Sequence, residues 1–304
     1  MHRPEPARRA LLRGLAVGLL APRLARAAGP LAPPRDALAS LERRAGGRLG
    51  VCVFDAHTGA ALAWRGEDRF ALCSTFKLLL AAVVLREADA GRLSLDEELA
   101  FGRADLVPHA PVVERHLDAG RLSLAALAEG TQTTSDNVAA NLLIRRLGGP
   151  SALTEAFRAL GDDTTRVDRY EPEMNRVAPG DPRDTTTPDA MARTAARLFS
   201  SDLLSAGAQA RLRGWMIATR TGLRRLRAGL PADWIVGDKT GTGSNPATGN
   251  QHNDVAVVWR EGRAPVAIAA YYAVGAYHAE MRAQDDAVLA EAGYIAGRWI
   301  AGMG

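Results

Sequence analysis

Strand-like segments stand at the two ends of this sequence with a long helical block between them, and that distribution limits the fold more than any other feature. Arg48 to Asp55 is rich in Val and Phe, Thr58-Gly59 supplies a turn, and Ala60 to Trp64 returns, as in a β-hairpin. The strand pattern resumes in Trp234 to Lys239, Val255 to Trp259 and Val266 to Tyr272. Between these ends the apolar period is helical, over Ser74 to Ala90, Leu122 to Ala128, Asp136 to Leu147, Ser151 to Leu160 and Pro188 to Phe199. Asp36 to Ala45 and Glu280 to Ile300 read as terminal helices. The economical fold is mixed α/β: one antiparallel sheet built from both chain ends and flanked by helices, with an all-helical subdomain inserted. The expected division is 28–72 and 217–304 for the α/β part and 73–216 for the helical part, with a ligand cleft between them.

Between Gly161 and Thr187 the apolar period stops, and the segment is rich in Asp, Arg, Pro and Thr. A segment this long without structure of its own, inside a compact chain, reads as a functional Ω-loop, here over about residues 166–184. The N-terminus has a different character. Arg8-Arg9 precedes a short apolar run from Ala10 to Ala21, and Ala25-Arg26-Ala27 offers a cleavage site, so residues 1–27 read as an export peptide, by the general or the twin-arginine route. The expected location is periplasmic or secreted, with no stable membrane association after cleavage. This leader also carries the chain's basicity: it holds six Arg and one Glu, and the remainder is close to neutral although the whole chain is +4. Nothing in the charge pattern points to nucleic acid.

Two cysteines, Cys52 and Cys73, are too few for a disulfide framework and read as small buried hydrophobes. The six histidines, His2, His57, His109, His116, His252 and His278, lack metal-site spacing, so neither metal nor cofactor is expected.

Chemistry concentrates first at Ser74-Thr75-Phe76-Lys77, ahead of Leu78-Leu79-Leu80. Residues three apart share a helix face, so a hydroxyl and an amine can meet while the leucines anchor the helix. Ser74 also stands near a helix N-terminus, where free N–H groups favour negative charge developed in acyl transfer. Taken alone, Ser-x-x-Lys also fits an ordinary N-cap. Three further groups follow in order: Ser135-Asp136-Asn137 at a turn into a helix, Glu171-Pro172-Glu173-Met174-Asn175 in the Ω-like segment, and Lys239-Thr240-Gly241 at the end of a strand.

This ordered set resembles the class A serine β-lactamases over essentially the whole chain after the leader. The resemblance implies hydrolysis of penicillins and cephalosporins, with small-molecule β-lactams as partners and a monomer without cofactor. It implies Ser74 as nucleophile, Lys77 as proton acceptor, Ser135 as the relay to the departing ring nitrogen, and Glu171 with Asn175 as activators of a deacylating water. Whether Lys77 or Glu171 is the acylation base stays open. Asn137 would hold the acylamino side chain, and Lys239, Thr240, Gly241 and Thr242 the substrate carboxylate, with Arg225 as an added cation. The N–H groups of Ser74 and Thr242 would form an oxyanion hole. Arg169 and Asp184 match the ion pair that closes the loop neck.

His109 stands at the gate position, where an aromatic residue is usual. Gly243 stands where carbapenem-hydrolysing relatives supply a disulfide partner for the residue at Cys73, so two free thiols and poor carbapenem hydrolysis are the expectations. The Ser244 to Asn253 segment reads as a long turn. A penicillin-binding D,D-peptidase shares the acylating motifs but lacks the carboxylate at Glu171, and a β-lactam sensor would need a membrane tether.

Overall fold

The computed structural model describes residues 32–303, so the export-peptide reading of residues 1–27 lies outside the described residues. The chain enters through helix α1 (Pro34–Ala45), which begins on a proline and ends on Gly46 in the left-handed region at φ 74°. Strands β1 (Arg48–Asp55) and β2 (Ala61–Trp64) follow as a hairpin, and β3 (Phe70–Ala71) leads to a 3₁₀ turn over Cys73–Thr75 and helix α2 (Phe76–Asp89). β4 (Glu98–Ala100) and β5 (Arg121–Ser123) pair before α3 (Leu124–Thr133), α4 (Asn137–Arg146) and α5 (Pro150–Ala159). After the long loop come β6 (Thr185–Thr186), α6 (Pro188–Ser200), α7 (Ala206–Ala218) and the short α8 (Leu226–Gly229). β7 (Ile235–Asn245), β8 (Gly249–Trp259), β9 (Val266–Val274) and α9 (Ala283–Gly302) complete the described chain.

The main sheet has the order β2-β1-β9-β8-β7 and is antiparallel throughout. β1 and β9, from opposite ends of the chain, lie side by side with Val51 opposite Ala270, which is the closure expected from the sequence. Both faces are covered, as strand alternation makes visible. Ala267, Ala269 and Tyr271 of β9 face a core built around α2, whereas Ile268, Ala270 and Tyr272 face α1 and α9. α2 is buried on every side from Phe76 to Leu85, the condition of a helix that is apolar all round.

The short elements β3, β4, β6 and α8 had no counterpart in the sequence reading, and three further segments differ from it. Arg121–Ser123 is a strand paired with β4, and Ser123 then caps α3 by accepting the Ala126 N–H, so the helix begins later than Leu122. Helix α7 was not anticipated, because Gly207, Gly214 and the Arg residues at 211 and 213 dilute its apolar period. The Ser244 to Asn253 segment is not a long turn: β7 and β8 pair as far as Asn245 opposite Gly249, leaving 246–248 as the loop. Polar side chains at Ser244, Asn245, Asn250 and Gln251 hid these strand ends, since backbone pairing rather than apolar content holds them.

β7 is an edge strand, and its free side meets the 3₁₀ turn at the head of α2. Glycine permits the approach: a Cβ at Gly241 would fall 2.8 Å from the Leu72 carbonyl oxygen.

Candidate active site

Ser74 sits in the 3₁₀ turn, where Cys73 takes the left-handed region at φ 43° and Thr75 Oγ1 donates to the Leu72 carbonyl at 2.8 Å. Lys77, one turn on, is fully buried, and four groups lie within 3.0 Å of its ammonium, with Ser135 Oγ a little farther at 3.4 Å. Nζ lies 2.9 Å from Ser74 Oγ, 2.9 Å from the Ser135 carbonyl, 2.5 Å from Asn137 Oδ1 and 3.0 Å from Glu171 Oε1. Burial pushes the Lys77 amine below its ordinary pKa, while the charge of Glu171 pulls it back up.

The turn from α3 to α4 supplies Ser135, itself left-handed at φ 63°. Asp136 caps α4 through Oδ1, which accepts the Ala139 N–H at 2.8 Å, and its Oδ2 accepts the N–H groups of Val112 and Val113. Asn137 completes the tether by donating its N–H to the His109 carbonyl and Nδ2 to the Pro108 carbonyl. The His109 ring is exposed, with Nε2 2.8 Å from the Thr134 carbonyl.

Glu171 is clamped from α4. Asn141 donates Nδ2 to the Glu171 carbonyl and accepts the Glu171 N–H, both at 2.9 Å. The carboxylate accepts Ser74 Oγ at 3.3 Å on Oε1 and Asn175 Nδ2 on Oε2. At the loop neck, Asp184 accepts the N–H of Asp168 at 2.7 Å and both the N–H and Nε of Arg169. Its carbonyl accepts the Leu72 N–H at 2.9 Å, which ties the loop to the segment carrying Ser74.

From β7, the fully buried Lys239 donates to Ser135 Oγ at 3.1 Å and to the Thr240 carbonyl at 2.7 Å. Burial and the nearby Lys77 charge hold the Lys239 amine well below its ordinary pKa. Thr240 Oγ1 donates to Thr221 Oγ1 at 2.7 Å, and Arg225 Nη2 donates to Thr242 Oγ1 at 2.8 Å. These groups converge on a pocket of about 240 Å³, lined by Ser74, His109, Ser135, Asn137 and Asn175 together with Thr221, Arg225, Thr240 and Thr242. Lys77, Glu171, Lys239 and Gly241 stand behind that lining. A larger groove of about 890 Å³ runs between the loop tip at Val177–Asp181 and the β7–β8 turn, but none of Ser74, Lys77, Ser135, Glu171 and Lys239 lines it. The smaller pocket is thus where residues of all four sequence motifs line one cavity.

The four sequence motifs thus meet at one place, although they span residues 74 to 241 of the chain. A model of the beta-lactamase enzyme family matches residues 33–299. The chain belongs to that family. Among curated relatives, β-lactamase L2 of Stenotrophomonas maltophilia is 44% identical over 296 residues, covering 94% of this chain and 95% of the relative. β-Lactamase CTX-M-8 of Citrobacter amalonaticus is 42% identical over 245 residues, covering 81% and 82%. The solved structure of the class A β-lactamase of the last common ancestor of Gram-negative bacteria superposes with a TM-score of 0.82 at 49% identity, covering 90% of this chain and all of that one. A β-lactamase from Burkholderia vietnamiensis gives 0.83 at 44% identity over 91% of this chain. This class A β-lactamase accordingly hydrolyses β-lactams, the reaction that confers resistance to those antibiotics.

Sequence reasoning missed three residues that contact the candidate site. Asn141 had a readable signal, since it lies one helical turn beyond Asn137 on the same face. Thr221 and Asp286, the latter accepting Arg225 Nε at 2.8 Å, are joined to the site through space and had none. Cys52 and Cys73 are free and buried, and burial pushes each thiol up to about 12. No described helix is long and apolar enough to cross a membrane.

Proposed function

We propose that hydrolysis proceeds through a Ser74 acyl-enzyme that a Glu171-activated water releases. The observation that carries this reading is the position of Ser74 Oγ, 2.9 Å from Lys77 Nζ and 3.3 Å from Glu171 Oε1. Ser74 attacks the β-lactam carbonyl carbon, and its proton passes to Lys77 directly or to Glu171 through a water. Ser135 Oγ, 3.4 Å from Lys77 Nζ and 3.1 Å from Lys239 Nζ, hands a proton to the departing ring nitrogen. The N–H groups of Ser74 and Thr242 receive the oxyanion, Asn137 the acylamino side chain, and Lys239, Thr240, Thr242 and Arg225 the substrate carboxylate. Gly241 lets β7 approach Ser74, and His109 flanks the entrance.

Deacylation needs a positioned, deprotonated water. Glu171 supplies the base, and Asn175 Oδ1, buried and without a protein donor, supplies a second acceptor to orient that water. The presence of this carboxylate on the loop favours a lactamase over a D,D-peptidase or a sensor. The same reading takes residues 1–27 as an export peptide, the mature chain as a periplasmic or secreted monomer, and the pocket as lying between the α/β part and the helical insert.

Glu171→Ala tests it. Treated with benzylpenicillin, that variant should acylate and stall, so that intact-mass spectrometry finds the protein heavier by one whole substrate. Turnover at the parental rate without an adduct would remove Glu171 from deacylation.

A further inference from the structure

Arg193 and Arg197 stand four residues apart on α6, and both line a cavity of about 370 Å³ that shares no lining residue with the pocket at Ser74. Its other walls are Phe54 of β1 and residues 161–164, the start of the segment that becomes the long loop. Like charges at this helical spacing repel, so the pair costs stability unless something negative lies between them.

Gly161 lets Arg197 lie against the loop start: its φ is 76°, and a Cβ there would collide with Arg197 Nη1. Among the described residues Arg197 bonds only uncharged oxygens. Nη2 donates to the Gly161 carbonyl and, at 3.4 Å, to Thr194 Oγ1, while Nε finds no acceptor. Arg193 Nε donates to Asp189 Oδ2 at 2.8 Å, and its guanidinium lies 4.5 Å over the Phe54 ring. Three carboxylates border the cavity, and two are spent. Asp162 is buried and accepts the N–H groups of Thr164 and Thr165 and the hydroxyls of Thr165 and Thr194, and Asp189 holds Arg193. Asp163 is the exposed one.

We propose that this cavity binds a phosphate-type oxyanion, free phosphate or a phosphomonoester, between the guanidinium groups of Arg193 and Arg197. A guanidinium offers parallel N–H groups to two oxygens of such an anion, and both arginines keep N–H groups that no described residue accepts. A doubly charged anion between two cations offsets the one exposed carboxylate. Because Arg197 also bonds Gly161, a bound anion ties α6 to the start of the loop that carries Glu171. The folded state alone assembles these groups, so binding stabilises it by mass action.

The test is isothermal titration of the purified enzyme with inorganic phosphate and, separately, with phenyl phosphate, in a phosphate-free buffer at constant ionic strength. Arg193→Gln and Arg197→Gln, checked for folding by circular dichroism, should each weaken binding about tenfold, within the range for a lost charge-assisted contact, and the double variant should abolish it. Tighter binding of phenyl phosphate would mark a phosphomonoester as the ligand, and equal or weaker binding would mark free phosphate. Tm should rise with the ligand in the parent and stay level in the double variant. Three results would each overturn the proposal. One is no binding of either compound. Another is binding that survives both substitutions, which would place the anion in the Ser74 pocket or elsewhere on the surface. The third is an equal rise of Tm in parent and double variant, the general salting-out effect of phosphate. If the double variant does not fold, the two single variants carry the same comparison.

Discussion

Lys77 Nζ lies 3.0 Å from Glu171 Oε1, and neither side chain is exposed to solvent. A negative charge in contact with a buried amine and out of water favours the amine's charged form, so removing that charge changes the proton affinity of Lys77. Burial lowers the Lys77 pKa, and Glu171 is the largest influence opposing it.

Replacing Glu171 by Gln removes that opposing charge while keeping the side-chain shape. The Lys77 pKa then falls further, and the neutral amine that can accept the Ser74 proton persists to lower pH. The acid limb of the acylation rate should therefore shift to lower pH in Glu171→Gln, measured as the burst rate of a chromogenic cephalosporin across pH. Acylation lost at every pH would instead make Glu171 the acylation base.

Lys239 faces Ser135 Oγ at 3.1 Å from the edge strand, where it can act on the substrate carboxylate and on the proton relay at once. An interaction made in both ground and transition states appears in both kinetic constants. Lys239→Ala should raise KM and lower kcat, with kcat/KM down by roughly 10- to 100-fold for a lost charge-assisted contact. Kinetics equal to the parent would take Lys239 out of the site.

Gly243 stands against Cys73: a Cβ at Gly243 would lie 3.0 Å from Cys73 Sγ. Disulfide geometry puts a Cβ about 3 Å from the far sulfur, so the site already has the spacing of a half-built bridge. Thiol titration of the denatured, unreduced protein should find two thiols in the parent. After air oxidation, Gly243→Cys should show one, that of Cys52, and a raised Tm. Three thiols in the oxidised variant would mean that the β7 edge and the Ser74 turn do not hold this spacing in solution.

What the sequence made legible was short-range. Ser74 with Lys77, and Glu171 with Asn175, meet because helical and near-helical turns bring residues three or four apart together. The sheet could be inferred because strand patterns at both chain ends need partners. What stayed hidden depends on through-space contacts with no spacing rule, such as Asp184 tying the loop neck to Leu72 and Asp286 gripping Arg225. α7 and the polar ends of β7 and β8 escaped because tertiary packing and backbone pairing, not apolar period, stabilise them.

Behind β7 lies a second ionisable pair that the mechanism does not use. Asp254 stands opposite Thr240 and Asp238 opposite Ala256, which makes the two carboxylates diagonal neighbours on one face of the β7–β8 ladder. Asp238 Oδ2 and Asp254 Oδ1 are buried and find no donor. Burial pushes Asp238 up to about 6 against the pull of Arg227, and burial with the Asp238 charge raises Asp254 well above the ordinary range. Because these pKa values lie above those of the unfolded chain, the folded state binds protons that the unfolded state has released. The stability this confers is fully present below about pH 4, the ordinary Asp value, and is lost as pH rises through the folded values, from about 6 upward for Asp238. Asp254→Asn removes one of the two charges and leaves an amide oxygen to accept the Leu226 N–H, now bonded to Asp254 Oδ2 at 3.1 Å. Relative to the parent, the variant should gain stability between pH 4.5 and 7.5, on the order of 1–3 kcal/mol for one or two units of relieved shift. Urea midpoints for both proteins at the two pH values measure it. If parent and variant change equally with pH, the pair does not share a proton load, and Asp254 is an ordinary buried acceptor for the Leu226 N–H.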